Sequence, residues 1–214
     1  QAGIMIAGNL WFPIMVGIGG VLFFVTPMVA QLYGARNLKE IGPLARQAIW
    51  LSIPIVLFGM FVLSQASWIL TLAKVDPDII FYSEEYLSYF IFALPAILLS
   101  QPLRSLCEGV TKPLPITLLN ILMLLIAIVA NYTFIYGNFG FPEMGARGAG
   151  LSAIIGTWTS FIILIVYLRF KSAYGTEFFS KFEFPDFKIL HEILRGGIPV
   201  GLGNFIELSM FSGA

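Results

Sequence analysis

Five stretches of this chain carry no charged side chain and are long enough to cross a bilayer: near Ile4 to Tyr33, Ala48 to Ala73, Tyr86 to Leu103, Leu114 to Gly137 and Gly148 to Leu168. A hydrocarbon core of roughly 30 Å takes about 20 helical residues to cross. A sixth apolar run begins near Gly197 and continues to the last residue. Because the runs are continuously apolar and do not alternate, they are expected to be helices, which satisfy their own backbone, and not barrel strands. With 58% hydrophobic and 11% charged residues, and a mean hydropathy of +0.88, the chain falls outside the range of soluble domains. The expected fold is all-α, a polytopic transmembrane helix bundle.

The basic residues orient the bundle. If the spans alternate in direction, Arg36, Lys39, Arg46, Arg104, Lys112, Arg169, Lys171, Lys181, Lys188 and Arg195 share one face, and only Lys74 and Arg147 lie on the other. The positive-inside rule makes the richer face cytoplasmic. The first visible span then runs from outside to inside, so an odd number of helices, most simply one, is expected before it. The chain opens on Gln1 and stops inside an apparent span, and we read it as a fragment of a longer protein. No basic region precedes the first apolar run, so no cleaved signal peptide is expected. The single cysteine, Cys107, excludes an internal disulfide and a multi-cysteine metal site. A net charge of zero leaves no electrostatic footprint for nucleic acid.

The expected organisation is five spans in 1–168, a cytoplasmic connection at 169–196 and the start of a further helix at 197–214. In the connection, Phe187, Ile189, Leu190, Ile193 and Leu194 fall on one helical arc, with Lys188, His191, Glu192 and Arg195 on the other. Such a helix is expected to lie in the headgroup plane. The outer stretch VDPDIIFYSEEY reads as a solvated turn, with a cation-attracting mouth as the alternative. Pro13, Pro27, Pro54, Pro95, Pro102 and Pro199 fall within the apolar runs and predict kinks. Gly17, Gly20, Gly148, Gly197 and Gly201 predict close helix approach.

Enzyme motifs are nearly absent, with no metal-ligand cluster, nucleophile elbow or phosphate loop. His191, the only histidine, reads as a solvated residue on the polar arc, and the glycines of GARGAG open a membrane helix and follow no soluble strand. Glu207 stands out. A carboxylate at the centre of a membrane helix costs roughly 2.5–3.5 kcal/mol on insertion scales, which makes it a functional candidate by default. Its natural partner is a proton or a small cation, and its structural alternative is a hydrogen bond between helices, for example to Asn204. Asn131 offers an oxygen to a hard cation and donors to a carboxylate. Asn120, Thr117, Ser152 and Thr157 are candidates to share a cavity with it.

Several spaced segments carry a resemblance. TPMVAQLYGAR at 26–36, FALPAILLSQPLRSLCEG at 92–109, NYTFIYGNFGFPEMGARGAGLSA at 131–153 and GIPVGLGNFIELSMF at 197–211 occur in one order along the chain. Together they resemble the multidrug and toxic compound extrusion (MATE) family of bacterial efflux transporters, in its NorM-like branch. The resemblance implies a twelve-helix transporter of two six-helix lobes, of which this chain holds the second helix through the start of the seventh. It implies export of cationic and amphipathic drugs in exchange for sodium ions or protons, in the bacterial inner membrane, without a cofactor. Carried over by position, Glu207 becomes the seventh-helix acid of the second-lobe cation and drug pathway, with Asn204 one turn before it. Asn131 joins the polar cluster of the first lobe. Ala127 stands where related sequences can have a further asparagine, and Ala149 replaces a small polar residue of some relatives.

Two rivals stand beside this reading, the first from the wider superfamily and the second from another class. A lipid-linked saccharide flippase predicts a basic central cavity, yet the apolar runs contain no lysine or arginine. A non-transporting membrane scaffold gives no account of an intramembrane glutamate.

Overall fold

The computed structural model describes residues 12–13, 15–72, 77–110, 114–171 and 182–212. Eight helices carry the described chain, and no strand occurs among the described residues. They are α1 (Met15–Gly34, with a tighter 3-10 turn at Val21–Phe24), α2 (Leu38–Ser64), α3 (Ala66–Leu72) and α4 (Pro77–Phe90). After them come α5 (Leu94–Gly109), α6 (Leu114–Phe134), α7 (Gly145–Lys171) and α8 (Phe187–Ser212). Four are long and apolar enough to cross a membrane: Met15–Gly34, Leu38–Ser64, Ile116–Phe134 and Gly145–Phe170. The pair Ile80–Phe90 and Leu94–Gly109, bent by 52°, makes a fifth. The chain is a multi-pass membrane protein.

α5 is the centre of the bundle and packs against α1, α2, α6 and α7. Leu94, Ala96, Leu98, Leu103, Leu106 and Cys107 are all buried there. Within lipid the apolar surface has no water to escape, so close packing and interhelical hydrogen bonds hold such contacts. Two observations fit that rule. Thr26 Oγ1 donates to Ser105 Oγ at 2.9 Å between α1 and α5. A Cβ on Gly109 would stand 2.5 Å from Val29 and 3.0 Å from the Thr26 carbonyl, so only glycine lets α5 end against α1.

α1 ends in a Schellman motif, with Asn37 N–H on the Leu32 carbonyl at 2.9 Å and Arg36 N–H on that of Tyr33 at 3.0 Å. Arg36 occupies the left-handed position usually given to glycine, at φ 59°. α6 and α7 are joined by a turn in which Gly137, Phe139, Gly140 and Gly145 all have positive φ. Gly148 closes that pair, because its Cβ would fall 2.4 Å from the Phe134 carbonyl oxygen.

These contacts settle direction. The end of α5 meets the end of α1, α7 returns alongside α6, and α8 starts beside the α1–α2 turn. Arg36, Lys39, Arg46, Arg104, Arg169, Lys188 and Arg195 therefore gather at one end, the cytoplasmic one by the positive-inside rule. Arg147 stands at the other and pairs with Glu85 at 2.9 Å. Lys74, Lys112 and Lys181 lie outside the described residues, as do the first residues of the opening run and all of 172–181.

Three expectations need correction. The stretch after Asp76 is no solvated turn but helical from Pro77, and Glu84 and Glu85 belong to α4. The third apolar run is two helices, broken at 91–93, because Pro95 starts a new helix more readily than it continues an old one. The amphipathic segment at 187–195 is continuous with the apolar run that follows, so no break separates 196 from 197. Its apolar arc does not lie on a membrane surface. Ile193 is fully buried in the bundle core and Ile189, Leu190 and Leu194 pack against that core, while Phe187 is exposed.

Candidate functional site

α8 crosses α1 through a seam of glycines. A Cβ on Gly197 would meet Val21, one on Gly201 would stand 2.6 Å from the Gly17 carbonyl oxygen, and one on Gly20 2.7 Å from Gly201 Cα. Phe205 Cβ lies 3.0 Å from where a Gly17 Cβ would be. The two helices are antiparallel and close enough for backbone to touch backbone, which requires residues without side chains on both. The register places Asn204 on this seam, its Nδ2 3.5 Å from a Cβ built at Gly20.

Glu207 sits one turn beyond Asn204 and is exposed. At about 1.5 Å per residue it lies about 18 Å along α8 beyond Arg195. Among the described residues no hydrogen bond or ion pair reaches Glu207, and none links it to Asn204. The structural alternative raised by the sequence is therefore not made within this part of the bundle. The carboxylate is presented from a helix that its glycine seam fixes to α1.

Asn131 and Ser152 belong to the α6–α7 pair. Gly148 against Phe134 sets the register, so both lie near the outer end of the bundle and at a similar level. Ser152 is 2% exposed and its hydroxyl donates to the Gly148 carbonyl at 2.8 Å, one turn back in its own helix. Asn131 is half-buried in the last turn of α6. Two of the other proposed companions bond elsewhere. Thr157 Oγ1 donates to Ala153 O at 2.8 Å. Asn120 Oδ1 accepts from Arg104 at 2.9 Å, about 16 Å along α6 from Asn131 at 1.5 Å per residue. Asn204 and Glu207 thus stand on α8, which rests on α1 and α2, and Asn131 and Ser152 stand on α6 and α7.

Two cavities were not visible in the sequence. One, of about 410 Å³, is an apolar groove between α1, α2 and α8, walled by Ile18, Val21, Phe58, Leu202 and Phe205. The other, of about 380 Å³, lies at the inner end among the same three helices, with Met28, Gln31, Leu32, Glu40, Ile189 and Glu192 in its wall. Both arise where α8 meets a surface built by residues far away in sequence, and no local pattern encodes that. Among the described residues no group of three or more His, Cys, Asp or Glu converges on a metal-sized space.

Comparison with known proteins agrees with this architecture. The sequence model of the MatE family matches residues 2–133. The chain is 32% identical over 213 residues to the "Probable multidrug resistance protein NorM" of Shewanella oneidensis, covering 99% of this chain and 46% of that protein. It is 32% identical over 214 residues to the "Multidrug resistance protein MdtK" of Klebsiella pneumoniae, covering 99% of this chain and 47% of that one. The chain thus spans about half the length of the curated relatives it matches. Among solved structures, the eukaryotic MATE transporter AtDTX14 matches 99% of this chain, with 46% of its own length, at a TM-score of 0.87 and 20% identity. The MATE transporter NorM-NG, solved in complex with a monobody, matches 98% of this chain, with 46% of its own length, at a TM-score of 0.67 and 26% identity. A helix bundle of this topology and a family match over more than half of its residues lead to one conclusion: the chain belongs to the MatE family.

Proposed function

We propose that this chain is part of a secondary active exporter of cationic, amphipathic compounds in the bacterial inner membrane, driven by exchange for sodium ions or protons. The observation that carries the reading is the similarity to NorM and MdtK proteins over 99% of the chain. The exposed carboxylate of Glu207 on α8 supports it, because a charge placed among apolar residues needs a cation, a proton or a polar cavity to offset its desolvation. In this reading Glu207 holds the coupling cation or a cationic substrate, and Asn204 lines the same path from the glycine seam. Asn131 contributes an amide to a separate polar place in the first half, beside Ser152. That Ser152 already bonds its own helix leaves it a supporting wall more than a ligand.

The test is substrate efflux by the full-length protein in proteoliposomes, with a sodium gradient and, separately, a proton gradient. Efflux driven by one gradient and lost in Glu207→Gln supports coupled exchange through this carboxylate and names the ion. Efflux that survives the substitution removes Glu207 from the mechanism, and efflux absent under both gradients rejects the exporter reading.

A further inference from the structure

Gln47 of α2 is 2% exposed, and a buried primary amide needs partners for both of its ends. Both go to the backbone of the short segment that leads into α8. Gln47 Nε2 donates to the Phe184 carbonyl at 3.0 Å, and Gln47 Oε1 accepts the Asp186 N–H at 2.8 Å. One side chain thus reads two backbone groups, as a neighbouring β-strand would. Around it, the Trp50 indole N–H donates to the Glu183 carbonyl at 3.0 Å and Arg46 pairs with the Glu183 carboxylate at 2.7 Å. Phe182 sets its ring edge-on to Trp50, with centroids 5.9 Å apart. Positions 46, 47 and 50 share one face of a helix, so the whole grip is presented by one turn of α2.

Asp186 carries the grip into α8. Its N–H is held by Gln47, its carboxylate caps the helix by accepting the Lys188 N–H at 2.8 Å, and its carbonyl accepts the Leu190 N–H at 3.0 Å. The first turns of α8 therefore start from a residue bolted to α2. Beneath them lies the inner cavity of about 380 Å³, with Ile189 and Glu192 in its wall, so side-chain packing alone does not fill the space between these turns and α1–α2. Ile193 is buried in the core, with Ile189, Leu190 and Leu194 packed against it, and the glycine seam follows from Gly196 and Gly197 onward.

We propose that Arg46, Gln47 and Trp50 form a latch that fastens segment 182–186, and through Asp186 the inner turns of α8, to α2. While the latch is made, the inner turns of α8 move as one body with α1 and α2 above the cavity; when it opens, those turns swing from the glycine seam. The inference concerns the joint itself and does not depend on what the protein transports.

The test is amide hydrogen exchange on the full-length protein in nanodiscs, comparing wild type with Gln47→Leu, which removes both amide bonds at similar volume. Exchange across 183–194 is expected to accelerate at least about tenfold, the effect of losing roughly one net hydrogen bond from a local opening equilibrium. Amides of α6 are expected to be unchanged. Trp50→Phe keeps an aromatic ring but loses the bond to Glu183 and part of the indole's packing, and a smaller acceleration over the same residues is expected; it serves if Gln47→Leu does not fold. Acceleration confined to 183–186, with 187–194 unchanged in both variants, would overturn the latch, because α8 would then be held by its core packing and the seam without it. Acceleration spread equally over α6 and α8 would overturn it too, by making Gln47 a general stabiliser of the bundle.

Discussion

Replacing Gly20 by alanine probes the crossing on which the placement of Glu207 depends. An added Cβ stands 2.7 Å from Gly201 Cα and 3.5 Å from Asn204 Nδ2. Non-bonded carbons rest at about 3.5–4.0 Å, and the atom met first is backbone, so relief requires α1 and α8 to part by about 1 Å. A gap of that size forfeits about a quarter to a half of the dispersion energy at each contact along the seam. Overpacking a filled site costs about 1–3 kcal/mol. Against that stands about 0.5–1 kcal/mol gained because alanine favours a helix over glycine. The net expectation is a loss of about 0.5–2 kcal/mol. Gly203→Ala is the control, since nothing lies within 4 Å of its added Cβ and only the helix preference remains. Thermal unfolding of the full-length protein in one detergent, followed by size-exclusion fluorescence, is expected to give a lower Tm for Gly20→Ala and an equal or higher one for Gly203→Ala. Gly201→Ala forces apart the same two helices, so the Gly20→Ala, Gly201→Ala double variant is expected to lose less than the sum of the singles. A Tm for Gly20→Ala equal to that of Gly203→Ala would refute the close crossing.

Two further substitutions test the turns that set helix direction. Gly148→Ala pushes a methyl group to 2.4 Å from the Phe134 carbonyl oxygen, a backbone atom that cannot rotate away, and is expected to lower stability by about 1–3 kcal/mol in the same unfolding assay. Arg36→Gly relieves a left-handed residue at φ 59°, worth about 1–2 kcal/mol, and gives up about 0.3–1 kcal/mol of favourable charge at the end of α1. The balance favours glycine, so a Tm at or above wild type is expected, and a clear fall would show that the Arg36 charge outweighs the backbone strain.

The positions of the spans were legible because burial in lipid demands uninterrupted apolar runs, and their directions because basic side chains collect on one face. The glycines at 17, 20, 148, 197 and 201 were legible as packing sites, and the structure finds each one against a neighbouring helix. The break at 91–93 was less so: Pro95 marks a disturbance, but whether it bends a helix or begins one depends on what α5 packs against. The role of Gln47 was not legible at all. A lone glutamine in a helix near the interface is ordinary until residues at 184 and 186 are brought to it, more than a hundred positions later in the chain.

Glu207 divides the two sources of information most sharply. By itself the sequence determined that this is a membrane helix bundle, and that one carboxylate, Glu207, falls within an apolar run, because hydropathy and charge act residue by residue. Only the tertiary structure decided that Ser152 spends its hydroxyl on its own helix, that Asn131 and Glu207 stand on different helix pairs, and that α8 runs unbroken from a docked Asp186. Those outcomes depend on which backbone groups are left for a polar side chain to reach, and that is set by helix register and approach, which arise from contacts between segments far apart in the chain.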